Sequence, residues 1–370
     1  MTVIRRARAE AETDEREREV LGRIERARSR PIRFGDPQIT MAHGAGGKAT
    51  RNLIEGLLVP AFESETLASL ADAGIVTIDG LGLALTTDSF VVKPLRFPGG
   101  SIGDLAVNGT VNDLAAAGAR PMALTLSLVL EEGLSSDVLR TEVETIARAA
   151  RAAGVEIVAG DTKVVERGHA DGMYICTTGL GRIDPRGRLS PSSLRPGDRV
   201  LVSGSIGEHG TAIMLARGEF ELDAAIVSDT CSLWPAVDAL LEAAGPGLRC
   251  LRDATRGGVA SVLNELARAS GVALLIREAA VPVDPAVSGA CEILGIDPMY
   301  VANEGKLVAF VAPEWAAAAL KALRGVKGCE QAAEIGEVRT EPAGMVIVET
   351  GFGGKRVMDL LVGDPLPRIC

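Results

Sequence analysis

The chain has 370 residues, 47% of them apolar but only 3% aromatic, with 43 glycines and a formal charge of −10. Such a length can bury two cores, and an interior of Ala, Val, Leu and Gly suits layered α/β packing. The acidic balance excludes nucleic acid as the main partner, since a phosphate backbone needs a basic face, while an acidic cleft still takes phosphates through magnesium.

Residues 1–33 are nearly all charged or Ala, with Val20, Leu21 and Ile24 as a weak apolar stripe. They read as a solvated helix or a disordered tail rather than a targeting peptide. No run in the chain approaches the roughly 20 apolar residues of a membrane span. The six cysteines (Cys176, Cys231, Cys250, Cys291, Cys329 and Cys370) form no C-x-x-C pair, so a reduced cytoplasm is the simplest reading. Five of them sit in apolar stretches and read as small buried hydrophobes.

The folded body starts near Ile39. His43-Gly44-Ala45-Gly46-Gly47-Lys48 is a glycine-rich loop before a helix with Leu53, Ile54, Leu57 and Leu58 on one side. Its glycines let backbone N–H groups approach an anion and Lys48 adds charge, although the spacing is not Walker A and the stretch taken alone reads as a mobile surface loop. Asp72 follows, then a hairpin of Ile75–Ile78 and Leu81–Leu85 around Asp79-Gly80. The second strand leads into Thr86-Thr87-Asp88, a carboxylate that can serve a hard cation or simply make a turn.

Ser101 to Asp104 is a capping-box-like start for a helix running to Gly118. Asp104, Asn108 and Asn112 recur every four residues, with Asp113 about 100° round the helix from Asn112. Amides and carboxylates in so apolar a helix call for a ligand or a metal, or else line a solvated face. Leu124, Leu126, Leu128 and Leu130 alternate as a half-buried strand, and a helix with Leu139, Val143, Ile146 and Ala150 inside stops at Gly154. Val155–Ala159 then reads as a strand opening into Gly160-Asp161-Thr162-Lys163, which suits Mg-phosphate chemistry or a structural turn.

The polar, proline-bearing stretch from Pro191 to Asp198 marks a domain boundary. The second half restarts with a strand from Arg199 to Ser203, then a loop ending in Glu208-His209-Gly210, where His209 is a base, an anion donor or a helix cap. Asp253-Ala-Thr-Arg-Gly-Gly258 before a helix forms a phosphate cradle. Asn303-Glu304-Gly305-Lys306 opens the strand Leu307–Val311, with Glu304 either a base or a turn acid. Beyond Gly351, glycines and two prolines (Pro365, Pro367) describe an extended arm with the thiol of Cys370 at its tip, or a frayed end. Counted from Gly351, that arm spans at most ~60 Å.

Taken together, HGAGGK (43–48), TTDSFVV (86–92), FPGGSIGDLAVNGTVNDLAAAGARP (97–121), EIVAGDTKV (156–164), DATRGGV (253–259), VANEGK (301–306) and PRIC (367–370) closely resemble the hydrogenase maturation family HypE. That family lies in the larger group of aminoimidazole ribonucleotide synthetase, selenophosphate synthetase and thiamine-monophosphate kinase. The resemblance covers roughly Ile39 to Cys370. The metal-phosphate elements are common to the whole group, whereas PRIC is specific to HypE.

The resemblance implies a two-domain α/β (α+β) PurM-like fold, with N-terminal domains pairing into a shared β-barrel in a homodimer and ATP near the interface. The corresponding division is an extension (1–37), an ATP-binding dimerising domain (38–190), a second α/β domain (191–350) and a tail (351–370). The implied reaction is ATP-dependent: HypF places a carbamoyl group on Cys370, the enzyme dehydrates this S-carboxamide to a thiocyanate, and the HypC–HypD complex accepts the cyanide for the iron of nickel–iron hydrogenase. By position in the motifs, Asp72, Asp88, Asp113, Asp161 and Asp253 would bind Mg²⁺ and the phosphates. Asn108, Asn112 and Thr162 would support them, and Gly44, Gly46, Gly47 and Lys48 would cover the nucleotide. Lys163 would neutralise charge on the amide oxygen or phosphate and Glu304 would take the proton. Two competing readings are an enzyme of the same group acting on a free small molecule, and a non-catalytic scaffold that presents its tail.

Overall fold

The structure, a computed structural model, describes residue 22 and residues 32–218 and 225–362. The expectations for most of the charged extension and for Cys370 lie outside the described residues.

The glycine-rich loop begins as a 3-10 turn (Met41–Gly44) and enters α1 (Lys48–Leu53), which passes through a π-helical turn (Ile54–Leu58) into α2 (Val59–Phe62). After α3 (Glu65–Ala68), the expected hairpin forms as β1 (Gly74–Ile78) and β2 (Leu81–Phe90). A small ribbon of β3 (Arg96–Phe97) and β4 (Gly100–Ser101) leads into α4 (Ile102–Ala116). The Ser101/Asp104 capping box starts that helix as the sequence suggests. Then come β5 (Ala119–Glu131), α5 (Ser136–Ala153), β6 (Glu156–Val165) and β7 (Met173–Ile183). Gly154 stops α5 in the left-handed region, where a side chain is costly.

These strands form a five-stranded sheet in the order β1-β2-β7-β5-β6, antiparallel except for β5 with β6. One face packs on α4 and α5 around Ile102, Leu105, Val111, Ile146 and Ile175. The other face carries no layer among the described residues, and Ile75, Ile78, Leu81, Leu85 and Met122 are exposed there or along the sheet's edges.

The sequence places Asp161 to Lys163 beyond a strand that stops at Ala159. The structure corrects this. β6 continues to Val165, because its backbone stays paired with β5 through the Glu131–Val165 register. Asp161, Thr162 and Lys163 are therefore strand residues on an exposed sheet edge, not a loop.

The second half comprises β8 (Arg199–Val202), α6 (Glu208–Ala216), α7 (Trp234–Ala244), β9 (Leu248–Asp253), α8 (Gly258–Ser270), β10 (Ala273–Arg277), α9 (Pro285–Leu294), β11 (Leu307–Val311), α10 (Pro313–Arg324), β12 (Ala333–Arg339), β13 (Val346–Glu349) and β14 (Lys355–Met358). Its seven-stranded sheet runs β14-β13-β10-β12-β8-β11-β9. α8 packs on one face through Val262, Leu263 and Leu266, while α7 and α10 cover the other through Val237, Leu240 and Leu323.

Two further expectations change. Cys250, Cys291 and Cys329 are buried, but Cys176 is half-buried and Cys231 exposed, so only three of the five are core residues. The arm expected from Gly351 is shorter, because β14 pairs with β13 from Val346/Met358 to Glu349/Lys355. Beyond it, Asp359 accepts from the Tyr300 hydroxyl (2.8 Å) and Leu360 is buried.

Candidate active site

Four elements deliver acidic groups to one cavity of about 230 Å³. Asp72 precedes β1, Asp88 lies in β2, Asp113 in the last turn of α4 and Asp253 ends β9. Oxygens of Asp72, Asp113 and Asp253 lie within 4.8 Å of one another. The cavity is closed by Glu304, by Arg252 and Arg256, and by Gly46 of the glycine-rich loop.

The electrostatics follow from crowding. Burial is the chief cause that lifts Asp113 well above the ordinary carboxylate range, and the charges of Asp88, Asp253 and Asp72 add to it. The Thr86 hydroxyl, donating to Asp113 Oδ2 at 2.7 Å, opposes this. Burial likewise raises Asp72, against the Arg252 guanidinium 2.7 Å from its Oδ1. Asp88 is raised by burial, with Arg256 and a hydrogen bond to Asp113 pulling the other way. Asp253 is pushed up to about 6 by burial and by Asp88. Glu304 stands well above its usual value through burial and the charges of Asp253, Asp229 and Asp88. Its Oε2 is buried without a hydrogen-bond partner.

So many carboxyl groups facing two guanidiniums fit a divalent cation. Clustered hard oxygens at this spacing suit Mg²⁺ with bound phosphates, and a cation would relieve the repulsion that raises the carboxyls. Asp72, Asp113 and Asp253 are the residues placed to hold it, with Asp88 beside them.

The glycine-rich loop forms one wall. Gly46 has φ +76°, and a Cβ there would lie 2.7 Å from the Arg256 carbonyl oxygen, so glycine is required. Its N–H donates to Thr50 Oγ1 (3.0 Å) and its carbonyl accepts from Ser261 Oγ (3.1 Å). Gly44 accepts from Arg256 (3.4 Å). Gly46 and Gly47 also line an adjoining, more apolar cavity of about 580 Å³, bounded by Ile54, Leu67, Leu70 and Leu360. Lys48 does not line the phosphate-sized cavity: its ammonium pairs with Asp359 (3.2 Å) and its backbone N–H donates to Leu361 (3.0 Å).

Other expected site residues sit elsewhere. Asn108 donates to Thr230 Oγ1 (3.2 Å), and Asn112 donates to the carbonyls of Cys231 (3.0 Å) and Glu304 (3.1 Å) while accepting from the Leu233 N–H (2.7 Å). The amide of Asn112 is thus held by the protein's own backbone, Asn108 has one donor bond to Thr230, and neither lines the carboxylate cavity. Asp161 is exposed and pairs with Lys163 at 2.7 Å. The register runs Asp88–Thr177–Leu126–Gly160, three strand steps or ~14 Å. Asp161 and Lys163, in register with Ser127 and Val129, point to the face opposite Asp88. Within one chain, Asp161, Thr162 and Lys163 therefore do not join the cluster. His209 is fully buried, with Nδ1 2.7 Å from Ser228 Oγ and its ring edge-on to Phe97, so it neither caps a solvent-exposed end nor faces the cavity.

Arg252, Glu265 and Thr50 were not legible as site residues. Arg252 bridges Asp72 and Glu265, a meeting of segments far apart in the chain that no local pattern signals.

Two family models match: AIR synthase related protein, N-terminal domain, over residues 70–183, and its C-terminal domain over residues 195–349. The carbamoyl dehydratase HypE of Rhodobacter capsulatus is 49% identical over 338 residues, covering 90% of this chain and 99% of that protein. That of Escherichia coli (strain K12) is 45% identical, covering 90% and 99%. Among solved structures, hydrogenase maturation protein HypE in complex with ATP superposes with a TM-score of 0.76 at 44% identity, covering 90% of this chain and all of that one. A HypE–HypF complex gives 0.80 at 44% identity, covering 84% and 99%. Thiamine monophosphate kinase from Aquifex aeolicus, at 21% identity and a TM-score of 0.60 over 81% and 96%, shares the fold. With its two AIR synthase-related domains and this identity over nearly the whole length of the relatives, the chain belongs to the HypE family of carbamoyl dehydratases.

Proposed function

We propose that the chain dehydrates an S-carboxamide carried on its own Cys370, using ATP, and so forms a thiocyanate for the iron of nickel–iron hydrogenase. The observation that carries this reading is the carboxylate cavity with Glu304 on one wall and, on another, the loop that holds the base of the tail. Gly46 lines that cavity, and two residues on, the Lys48 N–H is bonded to Leu361. Seven residues lie between Val362 and Cys370, eight chain steps with a reach of at most ~28 Å. The last described residues of the tail thus lie against the glycine-rich loop that walls the site.

The chemistry divides simply. The amide oxygen attacks the γ-phosphorus and ADP leaves; the C–O bond then breaks, phosphate departs, and the nitrogen gives up both protons as the C≡N bond forms. Mg²⁺, when bound, would neutralise phosphate charge. Asp72, Asp113 and Asp253 would hold it, and Arg256 and the N–H groups at the start of α8 would face the phosphates. Glu304 takes the proton from nitrogen, and burial together with the charges of Asp253, Asp229 and Asp88 strengthens its hold on a proton.

Lys163 and Asp161 reach the site from a second copy. Their position on the uncovered sheet face, ~14 Å from Asp88, supports a homodimer in which two such faces close into a barrel. HypF is the carbamoyl donor and the HypC–HypD complex the cyanide acceptor. The free thiols fit a reducing cytoplasm.

The test is mass spectrometry of the C-terminal peptide after incubation with HypF, carbamoyl phosphate and Mg-ATP. The expected result is gain of a carbamoyl group and then loss of one water. An unchanged peptide alongside ATP turnover would favour a free small-molecule substrate. Glu304→Ala and Lys163→Ala proteins are expected to stop at the carbamoyl stage.

A further inference from the structure

Glu304 has an unusual support. Its carboxyl lines the acidic cavity with Oε2 buried and unpartnered. Its peptide, in contrast, is held from both sides by side chains that the site chemistry has not called on. Asp229 Oδ1 accepts from the Glu304 N–H at 3.0 Å, and Asp229 Oδ2 accepts from the Gly305 N–H at 3.2 Å. On the opposite side, Asn112 Nδ2 donates to the Glu304 carbonyl at 3.1 Å.

Both clamps are themselves anchored. Lys306 Nζ lies 3.2 Å from Asp229 Oδ2, with the two side chains 9% and 3% exposed. Asn112 is 1% exposed and also spans the carbonyl of Cys231 and the N–H of Leu233. The segment bearing Asp229 is tied down in turn by Ser228, whose N–H donates to the Pro98 carbonyl and whose hydroxyl lies 2.7 Å from His209. Gly305 must be glycine for this to work, because a Cβ there would collide with the Asp229 carbonyl oxygen. Asn303, one residue before, is fixed by its own bonds to Gly207, Ala254 and Val301.

Resting on the reading of Glu304 as the proton acceptor, we infer that Asp229 and Asn112 are positioning residues. Together they grip the Glu304 peptide by its N–H and C=O, so that its unpartnered carboxylate is aimed into the cavity. The physical case is that a buried, repelled carboxylate without a bonded partner swings away unless its backbone is fixed. Asn112, which its sequence pattern marks for a ligand, is one jaw of this clamp. Asp229, a lone acid in an unremarkable stretch, is the other.

The consequence is a coupling between ATP use and dehydration. Phosphorylation of the amide oxygen precedes removal of the nitrogen protons. A displaced base therefore leaves a phosphorylated intermediate that water hydrolyses back to the carboxamide, releasing phosphate without thiocyanate. The experiment uses the full chain, carbamoylated by HypF, with Asp229→Asn, Asn112→Ala and Glu304→Gln variants. ADP and thiocyanate are measured together with KM for ATP. Asp229→Asn and Asn112→Ala are expected to lower the kcat for thiocyanate by about 10-fold or more, leave KM for ATP within about 2-fold, and raise the ADP formed per thiocyanate. A merely destabilising change would lower the amount of active enzyme and leave that ratio at its wild-type value.

Glu304→Gln separates the two claims. If it leaves rate and ratio unchanged, the assignment of Glu304 is wrong. If it uncouples while both clamp variants keep the wild-type ratio, the clamp inference alone is overturned. Because the two variants disrupt opposite sides of one peptide, failure of either to fold leaves the other as the test.

Discussion

Asp253 sits at the end of β9, 6% exposed, with Asp72 and Asp113 close by. Its pKa of about 6 is raised from an unfolded value near ~3.9. The native chain therefore binds more protons than the unfolded one between these values. The contribution of Asp253 to the stability of the ligand-free protein therefore falls as pH rises from about 4 through about 6. Two outcomes follow. Asp253→Asn raises the melting temperature of the ligand-free protein at pH 8 by about 2–4 °C, measured by calorimetry, while reducing Mg-ATP affinity about 100-fold or more. In the unmodified protein, Mg-ATP affinity weakens as pH drops below about 6, because the metal must displace protons; titration calorimetry at several pH values reads this directly. Arg252 shows the opposite balance. Its guanidinium neutralises Asp72 and Glu265, so Arg252→Leu leaves a buried carboxylate unpaired and costs about 3 kcal/mol in denaturant unfolding.

At the scale of elements, the glycine-rich loop and the base of the tail act as one piece. Gly47 approaches Leu361 so closely that an added Cβ would lie 2.8 Å from its carbonyl oxygen. Lys48 bonds that same carbonyl through its N–H and pairs with Asp359, which Arg268 also holds at 3.3 Å. Gly47→Ala is expected to part the loop from Leu361. Hydrogen exchange at the Lys48 amide then rises by about 10-fold or more; unchanged protection would mean that the two segments are not coupled. The elements were legible to different degrees. The β1–β2 hairpin, the capped start of α4 and the Gly154 stop of α5 follow from alternation, capping and left-handed backbone, all of them local signals. The end of β6 did not, because Gly160-Asp161-Thr162-Lys163 reads as a loop, and only pairing with β5 keeps it extended.

The whole molecule presents a sheet with one uncovered face, Leu81, Leu85 and Met122 exposed upon or beside it, and Asp161 and Lys163 standing in β6. In the proposed homodimer this face is the surface on which two copies would pair. Leu85→Glu is expected to convert a dimer to a monomer in sedimentation, with loss of thiocyanate formation. If Lys163 works in the partner's site, Lys163→Ala and Glu304→Ala proteins, each inactive alone, recover about one quarter of wild-type activity when co-expressed, since about half the dimers are mixed and each holds one intact site. Absence of recovery would place both residues in the same site.

Local chemistry determined much of this protein. Periodicity, caps and turns mark most elements, and of the five acids that the resemblance singles out, Asp72, Asp88, Asp113 and Asp253 meet in the cavity while Asp161 does not. What the tertiary structure decided is who faces whom. Asn108 and Asn112 read as ligand-binding because polar groups in an apolar helix demand partners. The partners turned out to be Thr230, Cys231, Leu233 and Glu304, which fold back from the second half of the chain. Arg252 and Asp229 carry no local signal, since their roles exist only where distant backbones converge. Residue type sets what a group must satisfy; only the packing of remote segments sets what satisfies it.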